Sequence, residues 1–198
     1  MIAIIDYGAG NLFSVQNALD YLGAENCITA DPLVLNKAEK LILPGVGAFP
    51  DAMRMLCESG LVDSIKRQAA DKPLLGICIG MQMLFETGHE FTKTNGLGLI
   101  AGSVRQIESD GLKLPHIGWN NLTAANPCAL LKGVQHNSYV YFVHSFCAIT
   151  DDANIVAYTV YGQRIAALVQ RGNVYGAQFH PEKSGETGLK ILKNFCAL

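Results

Sequence analysis

The chain has 198 residues, 49% of them hydrophobic and only 16% charged, with a formal net charge of −2. A charged fraction below the roughly 25% usual in soluble domains fits a large covered surface, whether core or partner face. The absence of a basic run argues against nucleic-acid binding, and no apolar run approaches the roughly 18 residues of a membrane helix.

The opening "MIAIIDYGAG" lacks the cationic start and small-residue cleavage site of a secretory leader, so the expected location is cytoplasmic. "MIAIIDY" itself predicts a short buried strand closed by "GAGN". Leu12, Val15, Leu19 and Leu22 then recur at helical spacing, with Asn11 as the expected N-cap. "KLILPGVG" reads as a second buried strand, stopped by Pro44 and the glycines. "AFPDAMRMLCESG" reads as a helix with Met53, Leu56 and Cys57 on one face, extended by "GLVDSIKRQAADK", and "PLLGICIG" as the next strand. Continuous apolar strands separated by helices predict a mostly parallel sheet covered on both faces.

From about Gly96 the pattern changes. "GSVRQI", "LPHIGWNNL", "SYVYFVHSFCAI" and "NIVAYTVYGQRIAALVQRGNVYGAQFH" are strand-like runs joined by short turns such as "YGQR" and "RGNV", which suit antiparallel hairpins. The segment from Glu186 to Leu198 returns to helix, with Leu189, Leu192, Phe195 and Cys196 expected inside. With no repeat or linker, residues 1–198 are expected to form one α/β domain whose second half adds antiparallel strands.

The six cysteines show no C-x-x-C pair and no His/Cys cluster at ligand spacing, so neither a metal nor another cofactor is expected. Five of them can serve as small buried hydrophobes. Cys78 differs, because Gly76 and Gly80 flank it where an apolar strand turns into a helix. G-x-C-x-G is the cysteine form of the nucleophile elbow, a strained corner that exposes a reactive atom beside a helix N-terminus. The competing reading is one more buried thiol beside incidental glycines.

A thiol nucleophile needs a base, and the base needs an orienting group. "QFHPEKS" offers both, with His180 and Glu182 on either side of Pro181, although a strand-end histidine taken alone has no catalytic task. "LPGVGAF" presents backbone around Gly45 and Gly47 with no side chain in the way. Such amides can donate to an oxyanion if the loop lies beside the elbow, and otherwise form an ordinary turn.

Taken together, "GICIGMQMLFE", "QFHPEKS" and "LPGVGAF" resemble the class I, triad-type glutamine amidotransferases, over essentially the whole chain. The resemblance implies a flavodoxin-like α/β core and hydrolysis of L-glutamine by Cys78, with His180 and Glu182 completing a triad. It implies an oxyanion hole from the backbone of Gly47 and Ile79, and substrate contacts from Gln82, His144, Ser145 and Phe146. Gln82 lies one helical turn past Cys78, which suits that role, while a polar residue on a helix surface is the other reading.

"DYGAGN", "PHIGWN" and "YFVHSF" are similar to the branch of this family that delivers ammonia to a (β/α)8-barrel cyclase subunit in histidine biosynthesis, as a heterodimer. That resemblance places Asn11, Trp119, Asn120, Tyr141 and Lys183 at the partner face. Trp119 and Tyr141 suit an interface as large amphipathic aromatics, though a lone tryptophan also suits a core. His89, His116 and His136 receive no role. "GAGN" does not complete a dinucleotide fingerprint, because Phe13 stands where the third glycine belongs.

Overall fold

The computed structural model describes residues 1–198. Its first half alternates strands and helices: β1 (Ile2–Ile5), α1 (Leu12–Tyr21), β2 (Asn26–Thr29), α2 (Pro32–Lys37), β3 (Lys40–Gly45), α3 (Phe49–Glu58), α4 (Val62–Asp71), β4 (Leu74–Cys78) and α5 (Ile79–Met83). The strands β1 and β4 are buried along their whole length, as their unbroken apolar runs require of strands covered on both faces. The second half contributes β5 (Phe85–Gly88), β6 (Thr94–Asn95), β7 (Ile100–Gln106), β8 (His116–Asn121), β9 (Thr123–Ala124), β10 (Tyr139–His144), β11 (Phe146–Ile149), β12 (Ile155–Tyr161), β13 (Gln163–Arg171), β14 (Val174–Ala177) and α6 (Gly185–Cys196).

The main sheet has the order β2-β1-β3-β4-β14-β13-β12-β9. Its first five strands run parallel and the last three antiparallel, so the hairpins expected at "YGQR" and "RGNV" continue the same sheet. Two further sheets lie outside it: β10 pairs with β8, and a four-stranded sheet runs β11-β7-β5-β6. Phe49, Phe85, Phe142, Phe179 and Phe195 are the largest fully buried side chains of the core.

Several local expectations need correction. Asn11 does occupy the N-cap position of α1, but its side chain makes no capping hydrogen bond. Pro44 lies within β3 rather than ending it: its missing N–H removes one donor without breaking the pairing of Pro44 with Ile77. Cys57 is exposed, and Cys147 is the only cysteine besides Cys78 that is fully buried. In α3 the buried stripe is Phe49, Ala52, Met53 and Leu56, which leaves the next position on the solvent side. In α6, Ile191 joins Leu192 and Phe195 inside while Leu189 and Cys196 are half-buried. The helical stretch after Leu56 is also interrupted, because Gly60 at φ +72° ends one helix before α4 begins.

Candidate active site

Three adjacent parallel strands end at one corner of the sheet. β4 lies between β3 and β14, and register pairs Gly45 with Cys78 and Ala177 with Ile77. The Gly45–Gly47 loop, the Cys78 corner and the segment leading to His180 therefore leave the sheet side by side, at the carboxyl edge where open α/β sheets gather ligands.

Cys78 has φ +56° and ψ −113°. A non-glycine residue in that region is strained, and the surroundings must hold it there. They do so by close approach: a Cβ at Gly80 would collide with the Leu43 carbonyl oxygen, and one at Gly76 would fall 2.6 Å from the Gly80 carbonyl oxygen. The glycines are thus required by the packing of the turn against β3 and against itself. The thiol is 4% exposed and faces the Val143 carbonyl oxygen at 3.9 Å.

His180 Nδ1 donates to Glu182 Oε1 at 2.8 Å, and both side chains are buried. Burial by itself would depress the imidazole, but hydrogen bonds and charge from Cys78 and Glu182 outweigh it and hold His180 up at about 9. With Nδ1 committed to the carboxylate, Nε2 is left for the sulfur side. The main chain fixes the ring as well: His180 N donates to the Tyr141 carbonyl, and Ser184 Oγ donates to the His180 carbonyl.

A cavity of about 290 Å3 opens over this corner, lined by Gly47, Cys78, Ile79, Gln82 and His180 together with His144, Ser145 and Phe146. Gly47, at φ +95°, has open space where a side chain would be. Gln82 is 1% exposed, which removes the helix-surface reading. Its Nε2 donates to the Phe146 carbonyl and to Gln178 Oε1, each at 3.0 Å, and its Oε1 is buried without a partner.

Several residues at the site carried no signal that sequence reasoning used. Glu90 and Val143 also line the cavity. Gln178, fully buried, points Nε2 at Cys78 Sγ from 4.0 Å, the outer limit of an N–H···S contact. It stands two residues before His180, and period-2 alternation could have placed the two on one face. Tyr7 is buried beneath the corner, where burial and the charge of Cys78 raise its hydroxyl. His116 also belongs here: its Nδ1 lies 3.0 Å from His144 Nε2.

The residues expected at a partner face are not in the cavity lining. Trp119 is 55% exposed, which removes the core reading, and packs edge-on to Tyr141 with ring centroids 6.1 Å apart. Lys183 is exposed, and Asn11, Asn120 and Tyr141 are half-buried. Asn11 borders a fissure that also touches His180 and Glu182.

An elbow cysteine and a histidine–carboxylate pair on one rim of a parallel sheet define a class of hydrolytic thiol enzyme. The chain belongs to the class-I glutamine amidotransferase family, whose model matches residues 3–198. It is 51% identical to the imidazole glycerol phosphate synthase subunit HisH of Caldanaerobacter subterraneus subsp. tengcongensis, covering 98% of this chain and 97% of that one. It is 49% identical to the subunit of the same name from Bacillus cereus, covering 98% and 93%. Among solved structures it resembles PurLQS from Thermotoga maritima, with a TM-score of 0.77 and 25% identity over 98% of this chain and 96% of that one.

Proposed function

We propose that this chain is the glutaminase subunit of an imidazole glycerol phosphate synthase, hydrolysing L-glutamine to glutamate and ammonia. Cys78 is the nucleophile, His180 the acid and base, and Glu182 the group that orients it. The observation that carries the reading is a cysteine at φ +56° sharing one cavity with a histidine whose far nitrogen is held 2.8 Å from a buried carboxylate.

The sulfur attacks the side-chain carboxamide carbon, and the carbonyl oxygen takes the negative charge. Backbone N–H groups at Gly47 and Ile79 receive that oxygen, the second at the start of α5. His180 Nε2–H protonates the departing nitrogen, so the C–N bond breaks, ammonia leaves and a thioester remains. The imidazole, now neutral, takes a proton from water as its oxygen attacks the thioester. Glutamate departs with the new C–O bond and the proton returns toward sulfur. Gln82, His144, Ser145 and Phe146 hold the substrate in the cavity. No metal or cofactor enters this scheme.

The ammonia passes to a (β/α)8-barrel cyclase subunit, where ring closure gives imidazole glycerol phosphate and AICAR in histidine biosynthesis. Both close relatives carry the name of a synthase subunit, which supports a partner. Free ammonia in neutral water would become mostly unreactive ammonium, so the two sites need a sheltered connection and hence an interface. Asn11, Trp119, Asn120, Tyr141 and Lys183 form that interface in a heterodimer. One amidotransferase domain over residues 1–198 and a cytoplasmic location complete the reading.

Hydroxylamine added during turnover tests the chemistry, because it intercepts a glutamyl thioester as the hydroxamate. Hydroxamate formation by the native chain and none by Cys78→Ala is the expected result. Equal yields from both would remove Cys78 from the reaction.

A further inference from the structure

His116 has no place in the scheme above, yet it is 3% exposed and stacks between Phe142 and Tyr161, with ring centroids 4.8 and 4.2 Å away. Its hydrogen bonds have a direction that can be worked out from either end. Asn120 Nδ2 lies 3.1 Å from the Val160 carbonyl oxygen, where only an N–H can sit, and Asn120 Oδ1 accepts from Asn121 N at 2.9 Å. The amide is therefore locked by two backbone groups. His116 Nε2 faces that same Nδ2 at 3.3 Å and must accept, which puts the His116 proton on Nδ1. His116 Nδ1–H then donates to His144 Nε2 at 3.0 Å, and His144 carries its own proton on Nδ1.

The far end gives the same answer independently. His144 Nδ1 lies 2.8 Å from the Phe146 carbonyl oxygen, which can only accept. That oxygen also takes the Gln82 Nε2–H, so both its lone pairs are filled. Burial pushes both imidazoles down to about 4, which keeps them neutral, as one-donor, one-acceptor rings must be.

The geometry points to His116 as a positioning residue of the glutaminase site, one that fixes the tautomer of His144 and through it the wall of the substrate cavity. The wall needs such support because His144 ends β10 and Phe146 begins β11, strands that belong to different sheets. At the crossover the Ser145 carbonyl accepts from Ile107 N at 2.9 Å, and the Phe146 carbonyl that follows is held by side-chain hydrogen bonds from His144 and Gln82. From the Phe146 carbonyl, where the donors from His144 and Gln82 converge, the contacts continue through Gln82 and Gln178 to the sulfur, so a connected set of hydrogen bonds joins β8 to the nucleophile.

The inference rests on the glutaminase reading, but its first test needs no turnover. In the full-length chain, 15N NMR of the imidazole nitrogens is expected to show His116 and His144 both as the Nδ1–H tautomer with bare Nε2. Either ring in the Nε2–H form overturns the assignment. His116→Phe keeps a ring between Phe142 and Tyr161 and removes both nitrogens. It is expected to raise KM for glutamine roughly tenfold while leaving kcat within about twofold, as loss of one buried hydrogen bond at a binding wall should. An unchanged KM would also overturn it. Failure of the glutaminase reading would appear separately, as undiminished hydroxamate from Cys78→Ala.

Discussion

Gly45 is the register partner of Cys78 across β3 and β4, and a Cβ on Gly45 would stand 2.6 Å from the Gly80 amide nitrogen. The strained corner is thus wedged between its own helix start and the end of the neighbouring strand, with no room for a methyl group on either side. Gly80→Ala should be the clearest test, since its Cβ would meet the Leu43 carbonyl oxygen and backbone cannot move aside cheaply. We expect a loss of about 1–3 kcal/mol in urea unfolding, together with loss of glutaminase activity. A variant as stable and as active as the parent would mean that the corner is not held by this contact.

Glu182→Gln keeps the size of the side chain and removes its charge. Glu182 is one of the groups that hold His180 up at about 9, so the titration of His180, followed by NMR, should move down. Turnover should fall by on the order of 100-fold or more, because an imidazolium without a carboxylate behind it is both misoriented and less stable. Unaltered titration of His180 would show that the 2.8 Å contact carries no electrostatic weight.

How much of this was legible before the structure depends on whether a feature is local. The elbow was, since Gly76, Cys78 and Gly80 sit within five residues and the collision that demands glycine is between near neighbours. The meeting of Cys78 with His180 was not legible from strand patterning, because it needs β14 to run parallel beside β4, while the run before His180 reads as antiparallel hairpins; only the triad pattern and the family resemblance pointed to it. The His116–His144 contact was not legible: it depends on the pairing of β8 with β10, where His116 and His144 are register partners 28 residues apart. Cys57 and Trp119 show the limit of type-based burial. Both are residue kinds that favour interiors, yet the face each occupies is set by its element's contacts, and each ends exposed.

Three buried histidines predict the shape of the stability curve. His180 is raised from 6.5 to about 9, so the native state binds a proton that the unfolded chain releases. Its contribution is complete below pH 6.5 and fades as pH rises toward 9. His116 and His144 are lowered from 6.5 to about 4, so their contributions are present above pH 6.5 and fade as pH falls toward 4. Stability should therefore peak near pH 6.5, falling on each side by on the order of 1 kcal/mol per pH unit per group. Urea midpoints across pH 4–9 check this, and His116→Phe should flatten the acid limb alone. An acid limb of the same slope in that variant would assign it to other groups.

Trp119 and Tyr141 are register partners on β8 and β10, with Ile117 and Tyr139 on the same exposed face. An apolar stripe left half in water on one small sheet is what a partner would cover, and large aromatics at such a centre dominate binding. Because Trp119 is 55% exposed, its removal should cost the isolated chain little. Trp119→Ala is therefore expected to weaken binding to the proposed barrel cyclase by roughly 30-fold, measured by calorimetry, with the melting temperature of the free chain within about 2 °C of the parent. Unimpaired binding would move the interface to another face. A large drop in melting temperature would instead make Trp119 a structural cap over Tyr141 and the start of α6, whose Gly185 lies next to the indole.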